Sequence, residues 1–324
     1  MGTFGSGDLL FLVKTSAPGK IILFGEHAVV YGRPALAVPV AQVHADVEVS
    51  DARQAGVWIT AAGIGLHAEL TSLPTDDPIA AVIKKLIPQP ALSRTERGLG
   101  EGVDIKISST IPVASGLGSG AAVSVALIRA LSGYLDRPLT DEQVNDLAFE
   151  IEKLHHGTPS GIDNTVITHA RPVYFIKGRP IETFKVGRPF TIVIGDSGVP
   201  APTKESVGDV RTMWLKNKEK FEKLFDEIGQ ISLIARRCIE NGEPESLGEL
   251  MDQNHMLLQK LTVSSPELDG LADAARRAGA SGAKLSGGGR GGNMIALAEK
   301  QRAGAVANAL AAAGAVRTIV TEVR

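Results

Sequence analysis

The chain has 324 residues, of which 44% are hydrophobic, 22% charged and 4% aromatic, with one cysteine and a formal net charge of −2. That length accommodates about two domains. The near-neutral charge gives no broad attraction to nucleic acid or to a membrane surface, and the scarcity of aromatics argues against a base-stacking face. A lone cysteine, Cys238, excludes an intrachain disulfide and a cysteine-based zinc site, which fits a reducing, cytoplasmic setting. No apolar run approaches the ~20 residues of a bilayer span. The first such run, LLFLV at 9–13, is short and lacks a preceding basic segment, so no secretory signal is expected.

In chain order, strand-type segments come first: LLFLVKTS (9–16), KIILFGE (20–26), ALAVPVAQVHADVEVS (35–50) and VWITAA (57–62), separated by glycine, proline and polar turns. A helix is expected over 78–87 and a mobile, solvated loop over 88–102. VDIKISSTI (103–111) alternates with the period of a strand and leads into PVASGLGSGAAVSVALIRAL (112–131). In that run small residues open into a helix starting near Ser119, apolar nearly all round and therefore expected to be buried. Thr140 and Gln143 form a capping box for the next helix. On that helix Val144, Leu147, Ala148, Ile151 and His155 share an apolar stripe with Glu152 at its edge, half-buried; a surface glutamate is the plainer alternative. RPVYFI (171–176) and FTIVIGDSG (190–198) read as strands, and 203–261 as mostly helical and charged. The remainder runs helix (266–279), strand, glycine loop, strand (293–298), helix (299–313) and strand (316–323). The expected class is α+β, with strands and helices layered in each half and a boundary near 180–190.

Four segments carry candidate chemistry. In the glycine run, Gly116, Gly118 and Gly120 lack Cβ atoms, so backbone N–H groups can converge on one point beside a helix N-terminus. Such a point holds an anion, and a nucleotide phosphate is the candidate; a tight turn before a buried helix is the alternative. In TSAPGKIILFGEHAVVYGRPALAV (15–38), Lys20, Glu26 and His27 are charged or polar groups inside an apolar stretch, where they need partners or function. A strand-edge lysine and a satisfied core histidine remain open for two of them. In EIEKLHHGTPSGIDN (150–164) a helix ends at 156–157 and an irregular turn presents Asp163. Glu152 and Asp163 could then serve one phosphate site, one holding a divalent cation and the other meeting a nucleophile's proton; magnesium needs only one or two protein carboxylates when phosphate supplies oxygens. KLSGGGRGGNMIAL (284–297) contains a formal G-x-G-x-x-G, but a strand follows it rather than the helix of a dinucleotide fingerprint. It reads as a backbone-lined wall beside the phosphates. No G-x-x-x-x-G-K-[ST] sequence is present.

Taken together, PGKIILFGEHAVVYG, GLGSGAA, HHGTPSGIDN and KLSGGGRGG resemble, in order and spacing, the motifs of GHMP-superfamily small-molecule kinases, most closely the mevalonate kinase family. The resemblance spans residues 14 to about 297. It implies a two-domain α+β GHMP kinase fold: a ribosomal-protein-S5-like α/β domain over 1–184, binding nucleotide, and a ferredoxin-like α+β domain over 185–324. It further implies ATP-dependent phosphorylation of the C5 hydroxyl of mevalonate in isoprenoid precursor biosynthesis, with Mg²⁺. By position, Asp163 matches the family's catalytic aspartate and Lys20 the lysine that contacts it and the transferring phosphoryl group. Pro112, Gly116, Leu117, Gly118, Ser119, Gly120 and Ala121 match the nucleotide loop, and Glu152 the magnesium ligand. Glu26, His27, Thr203 and Gly288 fall at the substrate pocket, with Lys204 a weaker candidate than Thr203.

Two positions depart from the pattern. The family loop usually reads Gly-Leu-Gly-Ser-Ser-Ala with its second serine on magnesium; here that position is Gly120, so Ser119 or water must substitute. Arg290 stands where glycine is usual, either adding a phosphate contact or capping the loop toward solvent. The partners expected are mevalonate and ATP, with no nucleic acid and no membrane, and a homodimer is compatible with the resemblance. Competing readings are a GHMP kinase acting on phosphomevalonate or homoserine, a non-catalytic nucleotide-binding module, and a Rossmann oxidoreductase without magnesium dependence.

Overall fold

The computed structural model describes residues 11–87, 102–112, 115–156 and 160–324. The loop expected over 88–102 lies outside the described residues apart from Gly102, as do the first residues of the strand expected at 9–16 and part of the turn before Asp163. Packing divides the chain into two compact units, 1–17, 44–110 and 120–164 in one and 18–43, 111–119 and 165–324 in the other.

The strands and helices up to residue 169 are β1 (Leu12–Phe24), β2 (Ala35–Ala52), β3 (Gly56–Ala61), β4 (Leu66–Glu69), α1 (Pro78–Leu86), β5 (Gly102–Ser109), α2 (Ser119–Tyr134), α3 (Asp141–His156) and α4 (Ile162–His169). In the first unit β2 pairs antiparallel with β5, β5 parallel with β3, and β3 antiparallel with β4. The alternation read along β2 places Ala45, Val47 and Val49 in the core. Helix α2 is buried along most of its length, as its apolar circumference requires. Asp51, at the end of β2, accepts hydrogen bonds from Tyr134 Oη at 2.6 Å and Phe11 N at 3.1 Å, tying helix, strand and chain start together. The capping box forms: Thr140 N donates to Gln143 Oε1 at 3.0 Å and Gln143 N to Thr140 Oγ1 at 3.4 Å.

The later elements are β6 (Val173–Phe175), β7 (Glu182–Thr183), β8 (Phe190–Asp196), α5 (Thr203–Lys216), α6 (Lys218–Asn241), α7 (Leu247–Lys260), α8 (Pro266–Arg277), β9 (Gly282–Ser286), β10 (Asn293–Ala298), α9 (Ala303–Ala312) and β11 (Arg317–Val323). In the second unit β11, β8, β10 and β9 form one antiparallel sheet in that order. Helices α7 and α8 pack on β9, and α9 packs on β8 and β11. Cys238 is buried on α6, and burial pushes its thiol up, away from the reactive thiolate.

Three differences from the sequence expectations have local causes. The two strands expected at 9–16 and 20–26 are one, β1, which runs through Pro18 and Gly19. The helical stretch 203–261 breaks into α5, α6 and α7 where Asn217 caps α6, its side chain accepting from Lys220 N at 3.2 Å, and where Gly242 takes a left-handed φ of 77° ahead of Pro244. Asp163, expected on an irregular turn, is the second residue of helix α4. That helix was hidden because IDNTVITH is rich in β-branched residues, which are poor helix formers on local propensity alone.

β9 is an edge strand, and its outer edge is closed by side chains. Ala283 N donates to Asp252 Oδ1 at 2.9 Å, Leu285 N donates to His255 Nδ1 at 3.2 Å, and Arg276 Nη2 donates to Ala283 O at 2.7 Å. Arg276 Nε also holds Asp252 at 2.7 Å, so the clamp is itself connected. Buried backbone groups left without partners are costly, and these three bonds remove that cost while fixing the strand against α7 and α8. Asp252→Ala is expected to destabilise the protein by ~1–3 kcal/mol. Urea denaturation should show a lower midpoint at an unchanged slope.

Candidate active site

Lys20 lies on β1 and is buried; its backbone N–H donates to Leu117 O at 2.9 Å. Its side chain runs along the first glycine loop: a Cβ at Gly118 would lie 3.1 Å from Lys20 Cγ and 2.9 Å from Ile167 Cδ1. Gly118 has a φ of 78°, so both the turn and the close approach require glycine there. The loop is held from behind by Asn293, whose Nδ2 donates to Ser115 O, and by Ser115 Oγ, which donates to Pro112 O at 2.9 Å. Its last residue, Ser119, opens α2. The structure thus joins Lys20 to the loop that the sequence singled out.

The turn after β1 makes a second cluster. Glu26 is 1% exposed and pairs with Lys284, which is 0% exposed and comes from β9. Lys284 Nζ donates to Glu26 Oε1 and also to Leu285 O at 2.7 Å, while Asn254 Nδ2 of α7 donates to Glu26 Oε2 at 3.2 Å. Both carboxylate oxygens are therefore engaged. Burial pushes the Lys284 ammonium down from its ordinary value, and the Glu26 charge opposes that. Removing one member of such a pair typically costs ~3–5 kcal/mol, because the survivor is left as an uncompensated buried charge.

His27 follows directly, 5% exposed, with φ at 60° and ψ at −48° where it caps a short 3₁₀ turn over Ala28–Tyr31. Its Nε2 lies 3.0 Å from Gly288 O. A carbonyl oxygen only accepts, so Nε2 carries the proton and Nδ1 is the acceptor. That Nδ1 is buried and has no hydrogen-bond partner among the described residues. Burial lowers the imidazole pKa from 6.5 to about 4, with the Arg290 charge acting in the same direction, so the ring is neutral near pH 7. The carbonyl that meets it belongs to Gly288, which faces Thr203 at the start of α5: a Cβ at Gly288 would lie 2.5 Å from Thr203 Oγ1. The far side of the turn is pinned to α6 by Arg33, which pairs with Glu222 and, at 2.8 Å, with Asp226, and by Tyr31, stacked on Phe225 at 4.0 Å.

Glu152 and Asp163 fall in the other unit. Glu152 is half-buried on α3, as its place at the edge of the apolar stripe implies. Asp163 is half-buried in the first turn of α4, where a carboxylate complements the positive end of the helix. Gly120 and Ala121 occupy the first turn of α2 in that same unit. Lys204 is exposed on α5 beside Thr203.

Arg290 is engaged within the protein. Its Nη1 pairs with Asp209 of α5 at 2.5 Å and its Nε donates to Thr262 O at 3.3 Å, so the side chain fastens the glycine loop after β9 to its neighbours. Within that loop Arg290 N donates to Val263 O at 2.8 Å and Gly292 N to Val199 O at 2.7 Å, committing two amides of the expected phosphate wall to protein carbonyls. Sequence reasoning missed Lys284, Asn254 and Asn293. The signal for Lys284 was present, a lysine in a strand that is otherwise apolar or small, and is the same signal that marked Lys20. Asn254 and Asn293 gave none.

Sequence models of the N-terminal and C-terminal domains of GHMP kinases match residues 80–170 and 235–316. A mevalonate kinase of Pyrococcus abyssi is 38% identical over 94% of this chain and 93% of its own length, and one of Pyrococcus horikoshii is 36% identical over 95% and 94%. The chain belongs to the GHMP kinase family. Among solved structures, that of L. major mevalonate kinase in complex with R-mevalonate superposes with a TM-score of 0.84 at 30% identity, covering 96% of this chain and 95% of that one. The α+β fold with two sheets is therefore the GHMP kinase fold, and the protein is a kinase that phosphorylates an alcohol.

The buried imidazole makes this GHMP kinase acid-sensitive. Unfolded, His27 takes a proton near pH 6.5; folded, it resists until about pH 4. The unfolded chain therefore binds more protons in that window, and stability falls as pH drops through it, by about 3 kcal/mol for this group. His27→Gln should flatten the fall in urea midpoint between pH 6.5 and 4, leaving the weaker acid dependence of His255, whose pKa burial also lowers.

Proposed function

We infer that the chain is an ATP-dependent mevalonate kinase, transferring the γ-phosphoryl group of ATP to the C5 hydroxyl of mevalonate. The observation that carries this is the likeness to mevalonate kinases over nearly the whole chain, including one solved with R-mevalonate bound. The His27 pocket supports it. A neutral ring whose unpartnered Nδ1 can only accept suits a hydroxyl donor, and mevalonate offers two.

Phosphoryl transfer passes through a loose transition state, so positioning and charge stabilisation outweigh early deprotonation. In this reading Asp163 aligns the acceptor hydroxyl and takes its proton late. Lys20 supplies positive charge to the transferring group beside the glycine loop. Pro112, Gly116, Leu117, Gly118, Ser119, Gly120 and Ala121 cradle the nucleotide, and Glu26, His27, Thr203 and Gly288 frame the substrate. The chain divides at 184/185 into its two family domains: the matched regions, 80–170 and 235–316, lie on either side of that point, although the compact units interleave along the chain. A cytoplasmic location is consistent with one buried cysteine and, among the described residues, no helix long and apolar enough to cross a membrane.

Magnesium fits the donor set in part. No cluster of three or more His, Cys, Asp or Glu side chains suited to a metal exists among the described residues, but a nucleotide-borne ion requires only one or two carboxylates. Glu152 would supply the carboxylate and Ser119 a hydroxyl; Gly120 can supply none. The bound ion would neutralise charge on the nucleotide phosphates. A Cβ at Gly120 would meet nothing within 4 Å, so the missing hydroxyl is not dictated by packing. Gly120→Ser should fold normally and lower the Mg²⁺ concentration that gives half-maximal turnover; an unchanged Mg²⁺ dependence would remove this position from the metal site.

Coupled ADP-release assays with R-mevalonate, phosphomevalonate and homoserine, each with and without Mg²⁺, test the assignment. Turnover should be selective for mevalonate and lost without the metal. Lys20→Ala and Asp163→Asn are each expected to reduce kcat by ~10²-fold or more, with circular dichroism unchanged. Near-normal turnover in either variant rejects that residue's role.

A further inference from the structure

We propose that Lys284 is the positioning residue of the mevalonate pocket: its ammonium holds Glu26, and Glu26 holds the adjoining turn so that His27 Nδ1 stays presented to a substrate hydroxyl. This rests on the function inferred above, but on observations of its own. Glu26 is 1% exposed and both of its carboxylate oxygens already accept, one from Lys284 and the other from Asn254, so its charge is spent within the protein. Its effect reaches the pocket through the next residue, His27, whose φ of 60° and ψ of −48° are a combination that a non-glycine side chain rarely adopts. Such a conformation persists only where the surroundings over-determine it.

The surroundings do so through three links between the first strand with its turn and β9 with its loop. Ser286 Oγ donates to Ile22 O at 2.8 Å, Lys284 binds Glu26, and His27 Nε2 donates to Gly288 O at 3.0 Å. The ion pair is the only one of the three with both partners fully out of water. β9 does not yield, because Asp252, His255 and Arg276 clamp its outer edge. Lys284 therefore transmits a fixed strand position to the turn. A buried ion pair is weak evidence for stability, since apolar residues of similar volume often stabilise as well or better. What the pair provides that an apolar contact cannot is direction, because the ammonium and the amide together orient the carboxylate plane.

The test is kinetic. Glu26→Gln/Lys284→Met removes both charges at nearly constant volume, and Glu26→Asp keeps both charges but shortens the reach. Each should melt cooperatively and raise KM for R-mevalonate, the double variant by about 10-fold, with KM for ATP within about 2-fold of the parent. If Lys284 acts through His27, the double variant should add less than about 2-fold to the KM already raised by His27→Gln. Should the double variant fail to fold, Glu26→Asp in the two His27 backgrounds reads the same coupling. An unchanged mevalonate KM in a folded variant makes the pair purely structural and overturns the proposal. So does full additivity with His27→Gln, which would mean that Glu26 or Lys284 touches substrate directly. A parent enzyme without mevalonate turnover would instead overturn the function, a separately visible result.

Discussion

The Glu26–Lys284 ion pair is the constraint around which the second unit is arranged. Two opposite charges, 258 residues apart in sequence, meet where no water reaches them. Neither is tolerable there alone, so the turn after β1 and the strand β9 must come together or the fold loses several kcal/mol. Everything adjacent follows from that meeting. The edge of β9 is closed by Asp252, His255 and Arg276, the glycine loop after β9 is delivered at a set height, and its Gly288 carbonyl meets the imidazole of His27.

Positive-φ residues occur in the turn after β1, after α7 and in the glycine loop after β9, as they do at Asp136 and Ala170. His27, Thr262 and Arg290 all take positive φ values, at 60°, 61° and 57°. Each is held by side chains or backbone from another element: His27 by Gly288, and the Thr262 and Arg290 pair by the bonds that Arg290 makes to Asp209, Thr262 and Val263. The two glycine loops consequently differ in kind. The first runs beside the Lys20 side chain. The loop after β9 is fastened, with the amides of Arg290 and Gly292 already donating to protein carbonyls.

Charge is local in this kinase. A net charge of −2 gives no general attraction for ATP, and of the two lysines buried among the described residues, Lys284 is neutralised by Glu26. Lys20 lies buried beside the first glycine loop. His27 contributes no positive charge, because burial keeps it uncharged near neutral pH.

Local chemistry made much of this legible in advance. The capping box at Thr140 and Gln143, the buried α2, the alternation of β2 and the half-buried Glu152 all follow from side-chain pattern, because periodicity and capping act over a few residues. The same pattern marked Lys20, Glu26 and His27 as polar groups in apolar surroundings, and motif order named the family. Helix α4 was hidden because its β-branched residues argue locally against the helix that tertiary packing imposes. Pro18 and Gly19 suggested a break that long-range pairing overrode in β1. Lys284, Asn254 and Asn293 acquired their roles only when strands distant in sequence were brought side by side, since a partner hundreds of residues away leaves no local trace. The sequence alone determined which groups needed partners; the tertiary structure decided which partners they got, because a buried charge is satisfied by proximity in space and not along the chain.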